Sequence, residues 1–275
     1  MKSLSGLFDK RLLGTANHIL RRHRTHHWER VAKAVDRIQY LNPDLVVCTG
    51  DFTTLSEDQE FDQALDALAP LINNSSFEFL FVPGNHDHYV KSAKITKKLS
   101  DSCYTLSRER WKLNDYPQMI QYKGVNFLLF NQARPAPFYA SYGELDPDMK
   151  NWMGRTVKDE KFILINHYPL YDANGISLSW RRRCINNEFL QTAFNDAQIP
   201  IAFCGHIHHE YSRTGPNNHL EICSGSLTHT GIMSLVDYLP EENTIRHEWI
   251  DIDTNKNSAL GVETLKNINV GNSTD

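Results

Sequence analysis

The chain is organised around residues 82–88, VPGNHDH. They follow the apolar run 77–81, which predicts a buried strand. A strand that ends in Pro-Gly and then presents Asn85, His86 and Asp87 brings an amide oxygen, imidazole nitrogens and a carboxylate close together. These groups suit a metal or catalytic site, although a plain polar turn is the alternative for this stretch taken alone.

Three other apolar segments end in side chains of the same kind. They are residues 46–51 (VVCTGD), ending in Asp51; 162–167 (FILINH), ending in His167; and 201–208 (IAFCGHIH), ending in His206 and His208. Open α/β sheets place their sites at the carboxyl ends of strands, so we expect these side chains to meet Asn85 in one site. Repetition of this pattern by chance is improbable.

In this order the four segments resemble the calcineurin-like metallophosphoesterases, over roughly residues 43–229. That family shows Asp-x-His, Gly-Asp, Gly-Asn-His followed by Asp or Glu, a single His and Gly-His-x-His in succession. The last four motifs are present here. The resemblance implies an α/β fold class in which two packed mixed β-sheets are flanked by helices in a four-layer sandwich.

The resemblance also implies the chemistry. Family members hydrolyse phosphodiester or pyrophosphate bonds by attack of metal-bound hydroxide, using two divalent ions (Mn, Fe or Zn) about 3.5–4 Å apart. Carried over by motif, the metal ligands are Asp51, Asn85, His167, His206 and His208. Asp51 would bridge the two ions and His208 would bind the second, while the other three residues complete the first site.

The resemblance assigns catalytic roles to His86 and Asp87. His86 would stabilise the pentavalent phosphorane or protonate the leaving oxygen, and Asp87 would fix the tautomer of His86 and raise its basicity. A purely structural role is the alternative for His86. Among the other histidines, His88 and His209 are expected at the rim, and His229 is a candidate to line the pocket.

The first family motif, Asp-x-His, is absent. No apolar strand precedes Leu4, and residues 9–11 (DKR) have the wrong spacing. Either the sequence is truncated and Met1 is an internal methionine, or the domain has lost one metal and become a binding module. The intact later motifs favour truncation. We therefore expect a sheet that lacks its first strand and a second metal that is weakly held.

Details of the sequence resemble a bacterial subgroup of the family. They are residues 10–14 (KRLLG), 21–22 (RR) and 50–54 (GDFTT). That subgroup includes cyclic-nucleotide phosphodiesterases and UDP-2,3-diacylglucosamine pyrophosphatases, which implies a phosphoester substrate that is nucleotide-linked or lipid-linked. The rival hypothesis is a catalytically impaired or non-catalytic binding module. Metal content distinguishes them, since a scaffold needs no metal.

Composition predicts an ordinary cytoplasmic domain. Of the 275 residues 40% are hydrophobic and 23% charged, which is ordinary for a soluble domain. The net charge of −4 argues neither for nor against a nucleic-acid partner, and no such partner is expected. No apolar run approaches the length of a membrane span, and Met1 opens no signal peptide. The five cysteines show no CxxC spacing, which favours reduced core residues over a disulfide framework or a zinc site.

The two ends of the chain differ from the middle. Residues 1–27 form a basic amphipathic segment that suits peripheral contact with an anionic membrane, at the inner membrane face; the alternative is a solvated segment covering the site. Residues 28–253 are the predicted metallophosphoesterase domain. Residues 254–275 are polar with few aromatics, and we expect a loose tail.

Patterning predicts the main elements between the site motifs. We expect a helix from Trp28 to Pro43, a helix opened by a capping box of Ser56 and Gln59, and a hairpin over 119–130. Residues 131–143 and 168–184 are predicted surface loops.

Overall fold

The computed structural model describes residues 26–158, 160–242, 244–254, 256–258 and 265–266. The helices are α1 Glu29–Leu41, α2 Asp58–Ile72, α3 Ala93–Leu106, α4 Met149–Thr156, α5 Glu188–Asn195 and α6 Leu227–Thr230. The strands are β1 Leu45–Cys48, β2 Glu78–Phe81, β3 Gln118–Tyr122, β4 Val125–Leu129, β5 Gly143–Glu144, β6 Ile163–Ile165, β7 Cys184–Ile185, β8 Ile201–Cys204, β9 Glu210–Thr214, β10 Leu220–Ser224, β11 Ile232–Leu239, β12 Thr244–Asp251, β13 Lys256–Ser258 and β14 Leu265–Lys266.

Local chemistry explains the helix ends that the sequence marked. Helix α1 ends where Asn42 turns left-handed and its N–H donates to the carbonyl of Ile38, and Pro43 follows. The predicted capping box at α2 is one residue off. The Glu60 carboxylate accepts from the backbone N–H of Glu57, 3.0 Å away, which satisfies a donor that the helix cannot.

Six strands form the larger sheet, in the order β3-β4-β6-β8-β10-β9. The four central strands are parallel and the two edge strands are antiparallel, so the sheet is mixed. The predicted hairpin is confirmed as β3 and β4, joined by Lys123 and Gly124, which both have positive φ.

The second layer contains two separate groups of strands. Strands β1 and β2 pair in parallel, and β12 pairs with β11, β13 and β14. Apolar side chains such as Leu80 and Val82 pack against Ile163, Ile201 and Ile222 of the larger sheet. Burial of each stabilises the fold by roughly 1.5–3 kcal/mol.

Helices cover both outer faces. Phe61 of α2 and Leu99 of α3 pack on one side, and Met153 of α4 and Leu190 of α5 on the other. Two packed sheets flanked by helices confirm the predicted four-layer α/β sandwich.

A gap interrupts the second layer. Among the described strands, β1 pairs only with β2, and β11 pairs only with β12. A cavity of about 1040 Å³ lies between these two free edges and runs from Tyr122 to His208. Residues of both strands, β1 and β11, line this cavity.

The predicted terminal segments are described only in part. Of residues 1–27, only His26 and His27 are described, so the membrane contact predicted there lies outside the described residues. Within 254–275, β13 and β14 pair with β12, so this stretch is not wholly a loose tail; most of the rest is not described. No helix in the described part of the chain is long and apolar enough to cross a membrane.

Candidate metal centre

The predicted site residues meet where four strands end. Strand β1 leads to Asp51, β2 to Asn85, β6 to His167 and β8 to His206. The first two strands belong to one layer and the last two to the other, so the site lies between the layers. All four strands run to their carboxyl ends there, as predicted.

Four side chains converge at this point. Oδ1 of Asn85 lies 2.8 Å from Nδ1 of His206 and 3.1 Å from Nε2 of His167. The same Nε2 atom lies 3.5 Å from Oδ2 of Asp51. Asn85, His167 and His206 are all buried, so bulk water has little access to the space between these atoms.

The tautomer of His167 makes this arrangement unusual. Its Nδ1 lies 2.7 Å from the carbonyl oxygen of Thr49, which can only accept, so Nδ1 carries the proton and donates. In the neutral ring Nε2 then presents a lone pair to the oxygens of Asn85 and Asp51. Lone pairs that face one another in a buried site call for a proton or a cation between them.

His206 has the properties of a buried neutral ligand. Burial, and then the charge of His167, holds the pKa of His206 well below its ordinary value. Its Nε2 is buried and has no hydrogen-bond partner among the described residues. In the neutral ring this Nε2 therefore has an available lone pair, and it lacks the hydrogen bond that buried polar atoms normally make.

Two residues of the site, Asp51 and His206, have strained backbone conformations. Asp51 has φ 59° and His206 has φ 64°, in the left-handed region that side chains other than glycine enter at a cost. Strain of this kind, about 1–3 kcal/mol each, persists where the surroundings fix the conformation, and it concentrates at functional sites.

Two glycines allow the loops of the site to touch. A Cβ on Gly84 would lie 2.2 Å from Oδ1 of Asp51 and 2.7 Å from Cε1 of His167. A Cβ on Gly50 would lie 2.4 Å from the backbone nitrogen of Gly84. Any larger residue at either position would push the metal-ligating side chains apart.

Asp51 is held as a carboxylate. Burial alone raises the pKa of Asp51, but His167 and His86, when their rings are protonated, outweigh burial and bring the pKa of Asp51 below its ordinary value. The backbone N–H of His86 also donates to Oδ1 of Asp51 over 2.8 Å. This carboxylate is therefore ready to bind a cation.

His86 is fixed by its neighbours. Its Nδ1 lies 2.6 Å from the carbonyl oxygen of Thr54, so Nδ1–H donates to that oxygen. The ring stacks on Tyr89, with centroids 5.3 Å apart and planes 9° from parallel. Since Nδ1 makes this hydrogen bond, Nε2 is the ring nitrogen that could act on a substrate.

The carboxylate of Asp87 makes hydrogen bonds to the backbone that the sequence did not predict. Its two carboxylate oxygens accept from the backbone N–H groups of Asp51, Thr53 and Gly84, at 2.8, 2.9 and 2.8 Å. The carbonyl of Thr54, and not Asp87, sets the tautomer of His86. Asp87 thus links the two loops that carry Asp51 and Asn85. Its position next to His86 in the motif did not indicate this role.

His208 belongs to a second group of possible ligands. Ligand atoms of Asp51, His86 and His208 lie within 4.8 Å of one another. The ring of His26 lies 6.3 Å from that of His208 and 5.6 Å from that of His229. His229 is exposed and lines neither of the two cavities, so its predicted pocket-lining role stays a prediction. His26 belongs to no motif, and sequence analysis assigned it no role in the site.

A second cavity, of about 410 Å³, opens beside these residues. It is lined by Asn85, His86, Tyr89, Phe138, Tyr139, Ala140, Ser141, Ser179, Arg181, Arg182, His206 and His208. The two segments predicted as surface loops, 131–143 and 168–184, supply seven of these twelve residues. His88 does not line it and instead contacts Thr96, with 3.1 Å between Nε2 and Oγ1.

The residues present fit a bound divalent ion. Asp51, Asn85, His167 and His206 offer carboxylate, amide and imidazole donors, a set that suits manganese, iron, zinc or cobalt. The close approach of Nδ1 of His206 and Nε2 of His167 to the oxygen of Asn85, and the facing lone pairs at His167, are explained by such an ion. For a second ion the described residues offer Asp51, His208 and His86.

Comparison with known sequences agrees with this site. The profile of the calcineurin-like phosphoesterase family matches residues 18–210. A 3′,5′-cyclic-nucleotide phosphodiesterase of Nostoc sp. is 25% identical over 192 residues, which are 66% of this chain and 63% of the relative. The chain thus spans less than two thirds of the length of that relative.

Solved structures share the fold. A dimetal phosphatase from Danio rerio has a TM-score of 0.56 at 16% identity, covering 80% of this chain and 82% of the phosphatase. A purple acid phosphatase from yellow lupin seeds has a TM-score of 0.53 at 13% identity, covering 85% of this chain and 48% of the lupin chain. GAP50, the anchor in the inner membrane complex of Plasmodium, has 0.53 at 11% identity, covering 87% and 83%.

The family profile spans most of the chain, and its motifs converge in space at the ends of four strands. The chain belongs to the calcineurin-like phosphoesterase family.

Proposed function

We propose that this protein is a metal-dependent phosphoesterase that hydrolyses a phosphodiester bond. The observation that carries the proposal is the convergence of Asp51, Asn85, His167 and His206 on one buried point. Similarity to a cyclic-nucleotide phosphodiesterase favours a diester over a pyrophosphate.

Two ions are proposed at the centre. Asp51, Asn85, His167 and His206 would hold the first; Asp51 and His208 would hold the second. Bound divalent ions lower the pKa of a water molecule and neutralise the charge of phosphoryl oxygens. Asp51 would be the ligand shared by the two ions, which its closeness both to His167 and to the group with His208 supports.

His86 is the proposed general acid. With Nδ1–H held by the carbonyl of Thr54, a protonated ring presents its Nε2–H to a phosphoryl or leaving oxygen. The Tyr89 ring restricts rotation of this imidazole. His86 would therefore act on the substrate in a fixed direction.

Asp87 acts through other residues. By accepting three backbone N–H groups it holds the loop of Asp51 against the loop of Asn85 and His86. It is a positioning residue, and its removal should disturb the metal ligands without touching the substrate.

The test is hydrolysis of bis(p-nitrophenyl) phosphate with added Mn²⁺. We expect activity that a chelator abolishes and that falls by orders of magnitude in Asp51→Asn. Asp66→Asn, on the exposed face of α2, is the matched control and should keep the wild-type rate. Chelator-resistant activity, or full activity in Asp51→Asn, would contradict the proposal. Absence of both metal and activity in the wild type would favour the binding module.

A further inference from the structure

Three large aromatic side chains are exposed on two loops beside the metal centre. We name residues 137–141 and 177–183 together the aromatic arm. Phe138, Tyr139 and Trp180 of this arm are 70%, 52% and 57% exposed. A group of exposed aromatic rings is typical of a surface that binds a ligand or a partner.

The three rings support one another. Phe138 and Tyr139 meet edge to face, with centroids 5.3 Å apart at 83°. Tyr139 in turn lies 6.4 Å from Trp180, at 63°. Trp180 thus supports Tyr139 from outside, while Phe138 and Tyr139 line the cavity that also contains His86.

Backbone pairing fixes the two loops of the arm to each other. The N–H of Ser141 donates to the carbonyl of Arg181 over 2.8 Å, and that of Gly143 donates to the carbonyl of Arg183 over 3.1 Å. Strands β5 and β7 continue the pairing. The rings are therefore held in place before any ligand arrives, which lowers the entropic cost of binding.

The arm also carries positive charge. Arg181 and Arg182 line the cavity, and within the part of the chain that the structure describes neither forms an ion pair with a carboxylate. The guanidinium of Arg181 lies 5.2 Å from the centre of the Trp180 ring. Arginine beside an open aromatic ring suits a ligand that is both flat and anionic.

We propose that the aromatic arm is a recognition subsite for the nucleobase of a nucleotide phosphoester. Tyr139 and Phe138 stack on the base, and Arg182 binds an anionic oxygen of the phosphate. The inference rests on the proposed function, which places the reacting phosphorus at the neighbouring centre. A cavity of about 410 Å³ accommodates a nucleotide, and its mixed polar and aromatic lining suits a base better than an acyl chain.

The test is calorimetric binding of two phosphonates in which a P–C bond replaces the ester and prevents hydrolysis. One is the analogue of AMP, and the other is the analogue of ribose 5-phosphate, which lacks only the base. We expect the wild type to bind the AMP analogue roughly tenfold to hundredfold more tightly, the range that aromatic stacking of a base supplies.

Substitutions test which residues produce the preference for the AMP analogue. Tyr139→Ala should bring the two affinities together and Tyr139→Phe should restore the difference. Ile176→Ala changes an exposed residue just before the loop of Trp180 and outside the cavity lining, and it should change neither affinity. Arg182→Ala should weaken both analogues by a similar factor, whereas Arg183→Ala, which does not line the cavity, should not.

Equal affinities in the wild type, or an undiminished difference in Tyr139→Ala, would overturn the inference. Binding to anionic phospholipid vesicles that is lost in Tyr139→Ala, without a base preference, would also overturn it and indicate a membrane surface instead. Because the ligands are not hydrolysed, a base preference is measured even where the protein proves inactive, so failure of the subsite and failure of the proposed function are told apart.

Discussion

Nδ1 of His206 lies 2.8 Å from Oδ1 of Asn85, although 121 positions separate the two residues in the chain. Asn85 follows β2 in one layer and His206 follows β8 in the other. The contact joins the two layers at their carboxyl ends, and the metal centre is built around it.

His86→Ala should lower the rate of diester hydrolysis by about 10²- to 10⁴-fold, the range that a general acid contributes. The variant should keep its metal, because His86 is not among the four converging ligands. Elemental analysis beside the rate measurement checks both parts. Loss of one equivalent of metal in His86→Ala would show that His86 is a ligand of the second ion, as its closeness to His208 allows.

Gly84→Ala should lose metal affinity and thermal stability together. The new Cβ would meet Oδ1 of Asp51 at 2.2 Å, so the carboxylate or the loop must move. Gly154→Ala is the matched control, since a Cβ there meets nothing within 4 Å. Because Gly154 lies inside α4, the control should gain roughly 0.5–1 kcal/mol of stability. A Gly84→Ala protein with unchanged metal content would contradict the close approach described for this loop.

Asp87→Ala should lower both melting temperature and metal affinity, because three buried N–H groups lose their acceptor. Each unsatisfied group costs about 1–3 kcal/mol. The pH at which residual activity is half-maximal should stay where it is in the wild type, since the carbonyl of Thr54 sets the state of His86. A shifted pH profile with normal stability would restore the role in orienting His86 that the sequence predicted.

The positions of the candidate metal ligands were predictable because each residue follows its own apolar strand within a few residues. The local sequence shows both the apolar strand and the polar residues that follow it, as in Val46–Asp51 and Ile201–His208. The role of Asp87 was not predictable in this way. Its partners lie on a loop more than thirty positions earlier, and only the folded chain shows that its oxygens face backbone N–H groups.

The aromatic arm and His26 were missed for a related reason. Residues 131–143 and 168–184 have the composition of surface loops, and nothing local indicates that they pair and face the metal centre. The four-layer fold was expected from the family resemblance, since strand and helix order alone gives an α/β class without fixing how the sheets pack.

Glu221 should make stability fall as pH rises. It is fully buried on β10, and burial raises its pKa to about 8, while the hydrogen bond from the N–H of Leu170 opposes the rise. The folded protein therefore keeps a proton that the unfolded chain releases above the ordinary glutamate pKa of 4.5. Between about pH 4.5 and 8 the free energy of unfolding should decline, by on the order of a few kcal/mol in total.

Glu221→Gln should remove this decline, because a neutral amide still accepts from Leu170 and carries no charge to bury. Urea unfolding at pH 5, 6.5 and 8 measures the slope. Glu241→Gln, at the exposed turn after β11, is the control and should leave the slope unchanged. Equal slopes for the wild type and Glu221→Gln would mean that Glu221 is ionised in the folded protein without cost.

The central claim is that Asp51, Asn85, His167 and His206 hold a divalent ion together. Calorimetric titration of the chelator-treated protein with Mn²⁺ tests it directly, with Asn85→Ala compared to the wild type. The account predicts a tight first equivalent in the wild type and an affinity weaker by on the order of a hundredfold in Asn85→Ala, since the variant removes the oxygen that both histidines face. Identical titrations for the two proteins, or no tight binding in the wild type, would contradict the account.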